Sequence, residues 1–255
     1  MSLNISKSEF VVFRSPRKPI DFDIKIKLNG QRIYQSSYIK YLGVYLDEHL
    51  SWKPHIHELR KKLNRSNSML SKIRHYVNKN TIRSLYFSLF ASHISYCCQV
   101  WGQSGNYHLN KILSVQRCAL RIIEFKPFHS DVSYLFQNLN IPLFSNLVRM
   151  SNILFVFDSL TNYLPSSISN FFIQCRHFYS YNTRNVENGK LVLPIFKGMK
   201  YGKYSIKYQC TIEWNKLICK INNAFVLKYS HAIHLNSFLD LNRNQFSKLV
   251  RKVII

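Results

Sequence analysis

Between residues 39 and 77 the spacing of apolar side chains changes from two to a mixture of three and four. In IKYLGVYL (39–46) apolar and polar residues alternate, as in a strand with one covered face. After Trp52, residues Ile56, Leu59, Leu63, Leu70, Ile73 and Val77 recur at spacings that place them on one helical stripe. A chain with this switch has to pass from sheet to helix within a few residues, and Pro54 suits a first helical turn. Upstream, SEFVVFR (8–14), IDFDIKIKL (20–28) and QRIY (31–34) are β-rich. SPRKP (15–19) supplies a turn, and Asn29-Gly30 is a strong hairpin signal. Downstream, helices are expected at roughly 80–101, 107–124, 142–163, 206–222 and 236–252. A looser, aromatic-rich stretch over 175–203 is interrupted by Gly189, Pro194, Gly198 and Gly202. The expected fold class is α+β: a small antiparallel β part at the N-terminus (1–50), a helical domain (51–174), and a tail region with a loop and two helices (175–255).

The helix after the switch is basic. Stepping about 100° per residue from Leu59, residues Lys61, Arg65 and Lys72 fall near the pole opposite the apolar stripe. Only Glu58 offsets seven Lys and Arg between Lys53 and Arg74, whereas a merely solvated face usually mixes signs. The whole chain shares this bias, with 36 Lys+Arg against 12 Asp+Glu and a net charge of +24. Such an excess repels itself, so a polyanionic partner is expected, nucleic acid before an anionic membrane surface. A hydrophobic content of 46% excludes a disordered tail as the main reading. Arg83 interrupts the apolar stretch 82–101, and Arg149 with Asp158 interrupts 141–160, so no membrane span is expected. MSLNISKSEF lacks the layout of a secretion signal, and the six cysteines are scattered in hydrophobic contexts. An intracellular chain, cytoplasmic or nuclear, is expected.

Catalytic chemistry is hard to find. Two-metal phosphoryl transfer needs clustered carboxylates, but the closest pairs are Asp21 with Asp23 and Asp47 with Glu48. The first pair reads as ordinary charge pairing beside lysines, and the second as a cap for the basic helix, with metal binding as the alternative. His49, His55 and His57 are close in sequence, but His55 and His57 diverge by about 200° on a helix, which does not suit zinc. Adjacent Cys97-Cys98 fits no zinc spacing, and no Gly-rich phosphate loop or Gly-x-Ser-x-Gly elbow is present.

Three stretches together resemble the reverse transcriptases of non-LTR (LINE-type, jockey-like) retrotransposons. LNISKSEFVVFR (3–14) is similar to the segment after the catalytic Asp-Asp turn, motif D. IKYLGVYLDEHLSWKPHI (39–56) looks like motif E, the primer-grip hairpin, running into the thumb. SHISYCCQVWG (92–102) with KILSVQRCALRII (111–123) is similar to the helical region beyond, and YGKYSIKYQCTIEWNKL (201–217) resembles the C-terminal tail. The resemblance implies a β palm remnant followed by a thumb-like helical body. It also implies that the family's catalytic aspartates belong to segments upstream of Met1, so the chain is expected to be a fragment that is inactive alone. No cofactor is expected in this chain, and Mg2+ is expected for the full-length polymerase.

By motif matching, Lys7 takes the motif D lysine position, near the phosphates of an incoming nucleotide. Leu42 and Gly43 fall in the primer-grip turn, where a glycine lets backbone approach a sugar-phosphate chain; a strand bulge is the alternative. Lys53, Arg60, Lys61, Lys62, Arg65 and Lys72 fall on the first thumb helix. The implied partners are RNA template, DNA primer and their hybrid, contacted through phosphates without sequence readout. Self-association through an exposed palm surface is a further expectation. The alternative function is a non-catalytic nucleic-acid- or protein-binding remnant co-opted from a mobile element.

Overall fold

The structure, a computed structural model, describes residues 4–5, 8–18, 24–178, 189–196, 198, 202–229, 239 and 241–254. They divide into two compact units, Met1–Cys97 with Ser104–Phe128 and Cys98–Gln103 with His129–Ile255. The chain passes between them after residues 97, 103 and 128.

In the first unit, β1 (Glu9–Phe10), β2 (Ile26–Leu28) and β3 (Gln31–Gln35) form a sheet in the order β1-β3-β2. The Asn29-Gly30 turn has both φ values positive, 48° and 79°, as a two-residue hairpin requires, and β2 runs antiparallel to β3. β1, however, pairs parallel to β3, so this sheet is mixed rather than wholly antiparallel. A two-residue turn can only join antiparallel neighbours, whereas the long connection from β1 to β2 leaves β1 free to enter in either sense. The segment 39–46 is a second hairpin of β4 (Tyr38–Tyr41) and β5 (Val44–Asp47), not one strand. Its tip is Leu42-Gly43, at φ 45° and 84°, and two successive left-handed residues reverse the chain within the alternating run.

α1 (Lys53–Ile73) buries Ile56, Leu59, Leu63 and Leu70 from the expected stripe, together with His55, Ser66 and Asn67. α2 (Lys79–Tyr86) begins at Asn78, whose side chain accepts the Thr81 amide at 2.8 Å, a conventional N-cap. The helix expected over 80–101 is broken. A π-helical turn over Phe87–Ala91 leads into α3 (Ser92–Ser95), and Cys97 at φ 50° ends it before α4 (Cys98–Trp101). Apolar periodicity does not register such a break, because Ile94, Cys98 and Trp101 are buried on both sides of it.

α5 (Asn106–Ile123) runs parallel to α1. Asn67 Nδ2 donates to the Val115 carbonyl at 3.1 Å, and Arg74 Nη1 donates to the Ile122 carbonyl at 3.5 Å, both at a separation of 48 residues. Between them, Tyr86 stacks on Phe90 at 5.1 Å and accepts a hydrogen bond from Gln116 Nε2 at 3.0 Å. The buried amides of Asn67 and Gln116 thereby fix the register of a core that is otherwise mostly apolar.

The second unit holds α4, α6 (Leu135–Asn138), α7 (Phe144–Leu160), α8 (Ser166–Ser169), α9 (Cys175–Phe178), α10 (Ile206–Tyr229) and α11 (Arg243–Ile254). α7 is central. Its Phe144 stacks on Trp101 at 5.3 Å, and its Phe157 stacks on Phe246 at 4.2 Å beside the buried Trp214. Asp158 accepts from Arg243 Nε and Nη2 at 2.7 and 3.0 Å, joining α7 to α11. The last helix begins later than expected, at a reciprocal box in which Asn242 Oδ1 accepts from the Gln245 amide and Gln245 Oε1 from the Asn242 amide. The earlier part of that expected helix, 236–238, lies outside the described residues.

Candidate nucleic-acid interface

The junction between β5 and α1 is organised by Asp47. Its two carboxylate oxygens accept the amides of Ser51 at 3.0 Å and Trp52 at 2.9 Å, which sets the entry angle of the basic helix. Burial opposes the charge on Asp47, but the hydrogen bonds from Ser51 and Trp52 prevail and hold its carboxyl below the usual carboxylate range. Its neighbour Glu48 pairs with Arg14 at 3.0 Å. Asp47 thus ties down the two residues before α1 and does not cap the helix itself, whose N-cap Trp52 has no side-chain hydrogen bond.

The three histidines go to different places. His49 Nδ1 lies 3.1 Å from the Arg14 carbonyl. His57 is exposed on α1. His55 is buried beneath the hairpin, where the Tyr45 amide approaches its Nδ1 at 3.5 Å. Burial, reinforced by the Lys62 charge, lowers the His55 pKa to about 4, so the ring is neutral at physiological pH. Among the described residues no group of three His, Cys, Asp or Glu side chains is placed to hold a metal ion. All six cysteines are free thiols.

The turn at Leu42-Gly43 is a true hairpin tip rather than a bulge. Tyr96, at the break after α3, donates its hydroxyl to the Leu42 carbonyl at 2.6 Å, while the Leu42 side chain remains 72% exposed. A Cβ on Gly43 would meet the Tyr96 ring at 3.5 Å, an ordinary contact, so it is the positive φ that favours glycine there.

The six cations expected on α1 separate into three settings. Lys61, Arg65 and Lys72 are exposed on the outward stripe, with Lys61 Nζ 2.7 Å from Glu58. Lys62 is exposed on the flank nearest His55 and His93, and its charge lowers the pKa of both after burial has done so. Lys53 and Arg60 face the opposite flank. There they line a cleft of about 380 Å³ with Ile56 and His57 of α1 and with Tyr107, His108 and Lys111 of α5. The α5 residues were not legible as partners of α1. The one local sign is the Tyr107–Lys111 spacing of four, realised as an ammonium 4.0 Å from the ring centroid. Lys7 lies outside the described residues, as do Asp21 and Asp23.

Every described carboxylate is engaged within the chain. Glu9 accepts from the Ser36 hydroxyl, and Asp131 from Ser133. Glu124 pairs with Lys79, Asp158 with Arg243, and Glu213 with Arg149 and Lys216. Asp47, Glu48 and Glu58 serve as described above. Among the described residues, the cation excess on α1 is therefore not balanced by free acids.

No family model matches the chain, and no solved structure does. It is 27% identical over 153 residues to the RNA-directed DNA polymerase from mobile element jockey of Drosophila funebris, covering 58% of this chain. It is 29% identical over 127 residues to the probable RNA-directed DNA polymerase from transposon BS of Drosophila melanogaster, covering 46%. It is 26% identical over 126 residues to the corresponding protein of transposon X-element from the same fly, covering 48%. The chain is similar to non-LTR reverse transcriptases. The match spans only 13–16% of those polymerases' own length. No helix among the described residues is long and apolar enough to cross a membrane.

Proposed function

We propose that this chain is the C-terminal, thumb-containing part of a non-LTR retrotransposon reverse transcriptase, and that it binds template–primer nucleic acid. The observation that carries this is the outward stripe of α1, where Lys61, Arg65 and Lys72 are exposed and Glu58, paired with Lys61, is the one acid of the helix. Such a face meets phosphates by charge alone, as a thumb that must slide along any sequence requires. The Leu42-Gly43 tip, held by Tyr96 and presenting an exposed leucine, is the part of this surface that would lie against a primer strand.

The described residues do not fit the polymerase's Mg2+, because no three of their His, Cys, Asp or Glu side chains gather and each described carboxylate has a partner in the chain. We therefore derive no catalytic step for this chain and expect no primer extension from it with magnesium and deoxynucleotides. The reduced thiols suit a cytoplasmic or nuclear setting.

Fluorescence anisotropy with an RNA–DNA hybrid across a salt series tests the binding. Affinity should fall steeply with salt, by a log–log slope of about 0.7–0.9 per phosphate neutralised. Affinity indifferent to salt would sink the proposal.

Self-association has its own support, since Tyr34, Tyr38 and Tyr41 on the two small sheets are exposed. Light scattering with and without nuclease distinguishes the sources: assembly that survives nuclease comes from protein contacts.

A further inference from the structure

The cleft between α1 and α5 has a feature that the outward stripe lacks. Because the two helices are parallel, their N-terminal ends lie together, and the positive ends of both dipoles point to the same place. A pair built only for stability would place acidic residues in those first turns, and neither helix has one. Lys53, Arg60 and Lys111 gather there instead, and no carboxylate lines the cleft. Asp47 is the acid whose field reaches His108, but its oxygens already serve the Ser51 and Trp52 amides.

A second observation is independent of this charge. Arg60 Nε is buried and has no hydrogen-bond partner. A buried guanidinium N–H without an acceptor is costly, and it belongs to one of the three cations that line the cleft. At the rim, Tyr107 is 69% exposed, leaving ring surface open to a flat ligand. The burial of His108, aided by Lys111 and Lys53, lowers its pKa, which agrees with a cation-rich site awaiting an anion.

We infer that this cleft takes one nucleotide of a single-stranded nucleic acid, its phosphate held by Lys53, Arg60 and Lys111 and its base laid on Tyr107. The volume suits one nucleotide and not a length of duplex, and a base can lie on Tyr107 only when it has left a stack. The inference rests on the nucleic-acid reading above but names a different surface and a different strand state. An unpaired stretch of template or primer has this chemistry.

The test uses the full 255-residue chain with two fluorescein-labelled probes of equal length, oligo-deoxythymidine and an RNA–DNA hybrid. Tyr107→Ala and Lys111→Gln alter residues outside the hydrophobic core, and circular dichroism confirms folding. Each should weaken oligo-deoxythymidine binding about 10-fold while changing hybrid binding less than about 3-fold. Tyr107→Phe keeps the ring and should bind oligo-deoxythymidine as the unmodified chain does. The triple variant Lys61→Gln, Arg65→Gln, Lys72→Gln should show the reverse selectivity. Equal losses on both probes from Tyr107→Ala, or no loss on either, would overturn the inference. So would a loss from Tyr107→Phe as large as that from Tyr107→Ala. A chain that binds hybrid but not oligo-deoxythymidine overturns the cleft assignment alone; one that binds neither overturns the proposed function as well.

Discussion

His55 ties the hairpin to α1, and its burial makes that attachment sensitive to acid. In an unfolded chain a histidine titrates near 6.5, whereas in the fold His55 titrates at about 4. As pH falls below 6.5 the unfolded state takes up a proton that the folded state refuses, so stability is full above 6.5 and declines towards pH 4. At about 1.4 kcal/mol per pH unit the interval corresponds to at most about 3.5 kcal/mol, and residual solvent access reduces this to about 2 kcal/mol. His93 and His108, whose burial also lowers their pKa, act in the same direction, so the unmodified chain alone does not isolate His55. His55→Gln keeps a polar side chain and removes the titration. Urea unfolding followed by circular dichroism, at several pH values from about 7 to about 4, should show a loss smaller by about 2 kcal/mol in the variant. Proton NMR of the unmodified chain should place the His55 midpoint far below those of exposed histidines. A midpoint near 6.5, or the same acid sensitivity in the variant, would refute the reasoning.

Other perturbations test other parts of the structure. Replacing Lys61, Arg65 and Lys72 together by Gln should reduce the log–log salt slope of hybrid binding by about 2 to 3, read from anisotropy. Gly43→Ala should destabilise the hairpin by about 1 kcal/mol through its positive φ, whereas Leu42→Asn should relax the adjacent left-handed residue; urea unfolding measures both. Arg243→Ala leaves the buried Asp158 carboxylate without its two donors and should cost the second unit about 2 kcal/mol, seen as a lower thermal midpoint.

Local features of the fold were legible because local chemistry fixes them. Asn29-Gly30 permits little besides a tight hairpin, and the stripe from Ile56 to Leu70 can be covered only on one side of a helix. The direction of β1 was not legible, since two residues joined by a long connection carry no record of their sense. The break at Tyr96-Cys97 was hidden because apolar spacing continues through it, and the hydrogen bond made there, from the Tyr96 hydroxyl to the Leu42 carbonyl, spans 54 residues. The same distinction holds for the candidate site. Cations on one helix could be placed by counting, which put Lys61, Arg65 and Lys72 on one outward stripe. That Lys53 and Arg60 would face Tyr107 and Lys111 depended on α5 lying parallel to α1, which no local pattern encodes.

That parallel pairing also sets an order of events on the ribosome. Val115 accepts from Asn67 across 48 residues, so α1 emerges well before the helix that completes its cover. At ordinary translation speeds the interval is about 2 to 10 seconds, far longer than a helix needs to form. During it, α1 can be shielded only by β5 and by whatever of α2 and α3 has emerged, with Leu63 and Leu70 still without α5. The newborn chain thus exposes an apolar stripe and a basic stripe on one helix at the same time.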